Sequence, residues 1–476
     1  MNVHIRTYGC QMNERDSEAV GARLEAAGHR LVEEDEADVV LVNTCSVRAK
    51  AEDKALGKLR LLVAGNRDRP GRTIGAMGCM VERLGPRILE EVRGLDFALG
   101  PRRLGALETV LAAVREGRGP VVDTGPRPEG GGPPAEHLAG GVTAFVTVME
   151  GCSRGCAYCV VPRVRGAEWS RPAAAVLAEV RSLAAAGVLE VTLLGQSVTS
   201  YGRTNPVDPF PRASALGVAG PFPRLVEAVA DIPGIARVRF TSGHPSGCTD
   251  DLVRVLAAKP AVCHHLHLPL QSGSDRILER MGRGYTTDGY RAAVARLRAA
   301  APDLALTTDV IVGFPGESES DFERTRAFLE ETGFDNAFVF KYSPRSGTAA
   351  AGWDDDVPMP EKRRRNQVLL EDQDRRSQRL HDALVGREMD VLIEGPSLRN
   401  RARWAGRTGT NKTVIVELPP EVEGAGLVRV RIDRARPQTL YGTFLCRLGP
   451  AVRMAPCAPV ASGRELTTDG TDSTDT

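Results

Sequence analysis

Six of the ten cysteines in this 476-residue chain stand where their thiolates could hold iron–sulfur clusters. Cys152, Cys156 and Cys159 lie in MEGCSRGCAYCVVPRVRG with the spacing C-x₃-C-x₂-C. Three thiolates on one short loop can hold three irons of a [4Fe–4S] cube and leave the fourth without a protein ligand. An iron left open in this way can take up a substrate or a cofactor, and Tyr158 is placed to pack beside it. The competing reading is structural zinc, which wants four closed ligands, usually in two pairs. Here the fourth would have to come from elsewhere in the chain. Cys10, Cys45 and Cys79, in TYGCQMN, VNTCSVR and AMGCM, each follow a predicted strand. The carboxyl ends of parallel strands share one edge, so three such residues can converge on a second open-iron site. Taken singly, each would read as a small buried hydrophobe. Asn13, Asn43 and Thr44 beside them suit the orientation of loops by side-chain bonding to backbone.

The elements that must position these residues follow from hydrophobic period. Over residues 1–115, NVHIRTY, ADVVLVNT and RTIGAMG read as strands, separated by the helical stretches SEAVGARLEAAG and KAEDKALGKLRLLVAG. That rhythm predicts a doubly wound α/β domain on a parallel sheet. Residues 116–141 are dense in Gly and Pro and read as a linker. A second α/β series over 142–360 offers six strands: TAFVTVMEG, LEVTLLGQ, ARVRFTS, HHLHLPL, LALTTDVIVGF and NAFVFKYSP. Six strands with intervening helices predict a partial (βα)₆ barrel, interrupted by an irregular insertion at 202–221. Residues 361–386 form an Arg-rich helical connector. Over 387–446 the period falls toward two, and five short strands predict a small OB-like β-barrel. The tail, 447–476, lacks apolar content and reads as disordered.

A formal net charge of +1 gives no global pull toward nucleic acid. Local surfaces are more basic: ten Arg or Lys face seven acids over 387–446, and seven face four over 361–380. Such runs usually mean only a solvated face. Ten cysteines argue for metal or redox chemistry in a reducing compartment. With no apolar signal region or membrane-length run, a cytoplasmic protein without membrane contact is expected, and a monomer. His264, His265 and His267 read as barrel lining, since no carboxylate or Cys companion is evident. Cys248, Cys263, Cys446 and Cys457 lack spacing partners, and GFPGE lacks the pattern of a phosphate loop.

The triplet on a strand-end loop, heading a six-strand βα series, resembles the radical S-adenosylmethionine superfamily. The resemblance implies that the open iron chelates S-adenosylmethionine, whose reductive cleavage yields a 5′-deoxyadenosyl radical. It also implies cofactor contacts at Gly195 and Gln196 of LLGQ, and at Gly313 of DVIVGFPGE, in addition to Tyr158. Two open-iron sites in one chain resemble the methylthiotransferase family more specifically. YGCQMN, NTCSVR, EGCSRGCAYCVVPRVRG, HPSGCTDDL and LHLPLQSGSDRIL carry that likeness over nearly the whole length. Departures are the 202–221 insertion and Arg163-Val164, where an aromatic commonly follows the proline.

Membership would imply two [4Fe–4S] clusters and methylthiolation at C2 of isopentenyladenosine, next to the anticodon of transfer RNA. A reductant protein and a source of sulfur would be needed as partners. Alternatives within the family are threonylcarbamoyladenosine in transfer RNA and a ribosomal protein aspartate. A non-enzymatic iron–sulfur RNA-binding scaffold is the alternative of another class. The terminal barrel resembles a TRAM domain, which implies contact with the anticodon stem-loop; Arg399, Arg401, Arg403, Arg407 and Lys412 are its candidate phosphate contacts.

Overall fold

The computed structural model describes residues 1–66, 71–128, 132, 135–207, 210, 212–422, 424–449 and 460–462. The first 123 residues build a parallel sheet whose strands run, edge to edge, Arg30–Leu31, Asn2–Thr7, Val39–Thr44, Thr73–Gly78, Phe97–Leu99 and Val121–Asp123. Val40 and Val42 point to one face, against Leu59 and Leu62 of helix Ala49–Gly65. Val39 and Leu41 point to the other, against Val20 and Leu24 of helix Gln11–Ala26 and Leu107 of helix Leu107–Arg115. Alternation along one strand thus feeds two cores, as a doubly wound sheet requires. The chain reverses its direction of travel between the strands Asn2–Thr7 and Val39–Thr44, and such switch points open a crevice at the carboxyl edge.

Two strands fall where the sequence shows no strand period. Val121–Asp123 lies in the Gly/Pro-rich stretch and pairs in parallel with Phe97–Leu99. Val460–Ser462, in the tail expected to be disordered, pairs in parallel with Ile5–Thr7. The rest of that tail beyond Gly449, Cys457 included, lies outside the described residues. Both strands are three residues long, too short to show a period against a polar, Gly- and Pro-rich background.

The central region is a partial barrel of six parallel strands: Thr143–Thr147, Glu190–Leu194, Arg237–Phe240, His265–His267, Ala305–Val312 and Asn336–Lys341. They form two three-stranded sheets, joined by a parallel bridge from Val238 to Val262. One continuous core fills the space between these strands and their helices. Helix Glu319–Thr332 shows how sharply the sequence sets element ends. Ser318 and Asp321 form a reciprocal capping box at its start, and Gly333 ends it in the left-handed conformation.

Helix Met359–Asp382 runs from the barrel to a closed five-stranded barrel, filled by Val391, Ile393, Val414, Val416, Val430 and Ile432. This small barrel docks on the amino-terminal end of the six-strand barrel. Arg237 donates to the carbonyls of Arg407 and Asp390, each at 2.7 Å. Arg239 donates to the carbonyls of Thr408 and Gly409 at 2.6 and 3.0 Å, while Glu190 holds it at 2.8 Å.

Candidate active site

The first three cysteines do converge on the carboxyl edge of the N-terminal sheet. Cys10 caps helix Gln11–Ala26, Cys45 follows Val39–Thr44, and Cys79 follows Thr73–Gly78. The first two therefore flank the switch-point crevice. A lattice of amides fixes their loops: Asn13 donates to Asn43 Oδ1 and the Thr44 carbonyl, and Asn43 donates to the Asn13 carbonyl and Ser17, all at 2.8–2.9 Å. Gly78 has φ +102°, and a Cβ there would lie 2.5 Å from the Thr44 carbonyl oxygen. Only glycine allows the Cys79 loop to lie this close to the Cys45 loop. Burial, reinforced by Cys10, raises the Cys45 thiol. Burial pushes Cys79 up to about 12, against the pull of Arg165 and with Cys45 and Cys10 adding to it. Cys45 and Cys79, buried at a low-dielectric edge, resist ionisation on their own, and a cationic centre there would offset that cost.

The second triplet sits on the loop after the first barrel strand. A two-stranded ribbon, Met149–Glu150 with Trp169–Ser170, closes that loop at its base. Cys152 donates its N–H to the Gly166 carbonyl at 3.0 Å, and Ala157 donates to Met281 at 2.9 Å. Burial pushes Cys159 up to about 12, with Cys156 and Cys152 contributing. Arg283 donates to Cys156 Sγ at 3.3 Å and lies within 3.5 Å of the Tyr158 hydroxyl. Tyr158 meets Phe314 edge-on, with ring centroids 6.3 Å apart.

Of the residues expected near a cofactor, Gln196 accepts the Gly151 N–H at 2.6 Å and so ties the second strand to the cysteine loop. A Cβ on neighbouring Gly195 would press to 2.4 Å from Met149 Cγ. Gly313 has φ +68°, donates to Glu317 at 2.6 Å, and leaves no room for a Cβ beside buried Lys362.

Polar atoms left without partners lie around the same loop. Both carboxylate oxygens of Glu168, whose side chain is 0% exposed, make no hydrogen bond, and Arg203 is 3.7 Å away. His244 Nε2 is also buried without a partner. Burial, with Arg154 and Arg283 nearby, pushes His244 down to about 3, so its ring stays neutral. A buried carboxylate beside Cys152 that accepts no hydrogen bond, and whose nearest cation is Arg203 at 3.7 Å, is costly unless a closer cation arrives. This fits a cofactor whose methionine end carries an ammonium and a sulfonium.

The two triplets face one another across the domain boundary. Cys79 packs with Val160, the residue after Cys159, and with Val164. Arg165 spans the seam: Nε donates to Cys79 Sγ at 3.2 Å and Nη2 to Asp16 Oδ2 at 2.5 Å. Arg345 adds a bond to the Val47 carbonyl at 3.2 Å. Among the described residues, no group of three Cys, His, Asp or Glu side chains closes on a single metal ion.

The basic residues of the small barrel divide. Arg399 and Arg401 are exposed on one turn. Arg403 pairs with Glu417 at 2.9 Å and Arg407 with Glu394 at 3.2 Å. Lys412 is 10% exposed and spent on Asp335 of the six-strand barrel, so it joins domains. The histidines have companions that sequence spacing hides. His267 lies 3.2 Å from Asp309, and His264 lies 2.5 Å from Asp303.

Family models match along the chain: an uncharacterised protein family, UPF0004, over residues 2–100, the radical SAM superfamily over 146–329, and the TRAM domain over 382–445. A tRNA-2-methylthio-N(6)-dimethylallyladenosine synthase from Akkermansia muciniphila is 43% identical over 462 residues, covering 92% of this chain and 98% of that one. The synthase of the same name from Opitutus terrae is 43% identical and covers 93% and 97%. The chain belongs to the radical S-adenosylmethionine methylthiotransferase family. Among solved structures, the radical S-adenosylmethionine methyltransferase TsrM from Kitasatospora setae matches with a TM-score of 0.54 and 15% identity over 74% of each chain. That likeness is one of fold. Membership makes the protein a transferase and implies a [4Fe–4S] cluster and S-adenosylmethionine. Among the described residues, no helix is long and apolar enough to cross a membrane.

Proposed function

We propose that this methylthiotransferase places a methylthio group on C2 of isopentenyladenosine beside the anticodon of transfer RNA. The observation that carries the reading is the pair of three-cysteine sets packed against one seam, in a chain 43% identical to the named synthases over nine-tenths of its length. Cys152, Cys156 and Cys159 would hold one cluster, and Cys10, Cys45 and Cys79 a second. When bound, the first supplies the electron that cleaves S-adenosylmethionine, and the second holds the sulfur that is methylated and transferred.

The chain's own residues position and protect this chemistry. Gln196 holds the loop of Cys152 in place through Gly151, and Gly195 lets the strand end approach Met149. Glu168 supplies the anionic partner for the cationic end of the cofactor, and Tyr158 walls the site with Phe314. Gly313 and Glu317, the latter held by Arg365 at 2.7 Å, shape the far wall. Arg399 and Arg401 offer the stem-loop exposed charge, with Arg403 and Arg407 next to them. A target base must be splayed out of its stack to reach a seam of this kind. A cytoplasmic location, a reductant protein and a sulfur source complete the reading.

Loss of single cysteines tests it. Cys156→Ala should abolish 5′-deoxyadenosine formation while iron remains at the N-terminal site. Cys45→Ala should keep 5′-deoxyadenosine formation and lose methylthiolation of transfer RNA. Methylthiolated nucleoside from the Cys45→Ala protein would contradict the assignment.

A further inference from the structure

The seam holds one cation that neither cysteine set explains. Arg165 ends helix Val161–Arg165, which begins two residues after Cys159, yet its guanidinium is buried in the other domain. Nε donates to Cys79 Sγ at 3.2 Å and Nη2 to Asp16 at 2.5 Å. Nη1 is buried with no hydrogen bond, 3.7 Å from Glu150. Asp16 sits on the helix that Cys10 caps, and Glu150 precedes Cys152 by two residues and is itself paired with Arg127. One guanidinium therefore touches a sulfur of one set while its backbone follows directly on the other.

We infer that Arg165 is a positioning residue that sets the reduction potential of the N-terminal cluster from the neighbouring domain. The inference rests on the proposed second cluster at Cys10, Cys45 and Cys79. An N–H donated to a cluster sulfur stabilises the reduced, more negative state, and hydrogen bonds to the sulfurs are among the main determinants of cluster potential. Here the donor is a full cation at 3% exposure, where little water screens it. Asp16 works in the opposite sense, drawing positive charge away from the thiolate. The pair is thus a charge balance bearing on Cys79, and its setting depends on the radical-generating loop staying docked. A purely structural clamp would need the carboxylate contacts; it would not need a donor aimed at Sγ.

The test uses full-length protein with Cys152, Cys156 and Cys159 replaced by Ala, so that any cluster present is the N-terminal one. Iron is counted after anaerobic reconstitution, and the midpoint potential is followed by electron paramagnetic resonance. Arg165→Gln should lower the ratio of reduced to oxidised cluster at a fixed potential by about tenfold, a shift of about 59 mV to the negative. Arg165→Lys, which keeps the charge, should recover part of that shift. Asp16→Asn should move the potential the other way, and it serves on its own if Arg165→Gln fails to fold. Opposite signs from the two neutralisations support the inference. Full iron content with an unmoved potential in either variant overturns it while leaving the cluster reading intact. Absence of iron from the triple variant overturns both.

Discussion

Gln196 Oε1 accepts the backbone N–H of Gly151 at 2.6 Å, so the end of the second barrel strand is bonded to the residue before Cys152. The bond links the loops that follow two neighbouring strands, Thr143–Thr147 and Glu190–Leu194, and sets the height of the cysteine loop. Gln196→Ala removes a partner from a half-buried N–H, which costs about 1 kcal/mol of stability. The expected result is a small drop in melting temperature. A several-fold loss of affinity for S-adenosylmethionine should accompany it, measured by equilibrium binding to reconstituted protein. Unchanged affinity would mean that the loop is positioned without this bond.

Glu168 carries a more decisive expectation, because its two effects have opposite signs. Its buried carboxylate has no hydrogen-bond partner, so Glu168→Gln should leave the melting temperature of the cofactor-free protein unchanged or raise it. The same change removes a charge-assisted contact to the cofactor, worth a loss of roughly tenfold to a hundredfold in affinity. A variant that lost stability and kept its affinity would remove Glu168 from the site.

The sequence made the cysteines legible because their signals are local. C-x₃-C-x₂-C lies within eight residues, and each N-terminal cysteine follows a β-branched run that ends in a turn. Arg165 and Arg283 gave no such signal. Their contacts to Cys79 and Cys156 span 86 and 127 residues, and only the docking of elements brings them together. Glu168 was hidden differently: its type implies exposure, and burial becomes visible only once the ribbon closes over it. Lys412 shows the converse, a basic residue expected to contact phosphate and that packing commits to Asp335. Composition likewise concealed the edge strand Val121–Asp123, since Gly and Pro around it set the reading for the whole stretch.

His137 supplies a pH dependence. It joins the N-terminal domain to the barrel, 3.1 Å from Glu18 and 2.7 Å from Glu179, with Arg15 and Arg171 on the same carboxylates. Burial alone lowers it, but the bonds to Glu179 and Glu18 outweigh that and raise it above its ordinary value. A raised folded value adds stability fully below about pH 6.5, lost as pH rises through the folded value. The melting temperature of the native protein should therefore exceed that of His137→Gln most at low pH, and the gap should close with rising pH. A constant gap would show that His137 acts through packing.

The exposed and the buried cations of the small barrel should separate in binding experiments. Arg399→Ala and Arg401→Ala should each weaken binding of the transfer RNA and reduce the slope of log K against log salt by about 0.7–0.9. Lys412→Ala should leave that slope unchanged and lower the melting temperature, because it breaks an ion pair between domains. A slope change at Lys412 equal to that at Arg399 would contradict this division.

One measurement bears on the central claim most directly. Reconstituted protein would be incubated anaerobically with reductant, S-adenosylmethionine and isopentenylated transfer RNA, and the digested nucleosides weighed. The account predicts 2-methylthio-isopentenyladenosine, formed together with 5′-deoxyadenosine, and none from transfer RNA that lacks the isopentenyl group. Release of 5′-deoxyadenosine with no methylthiolated nucleoside from the isopentenylated substrate would contradict it.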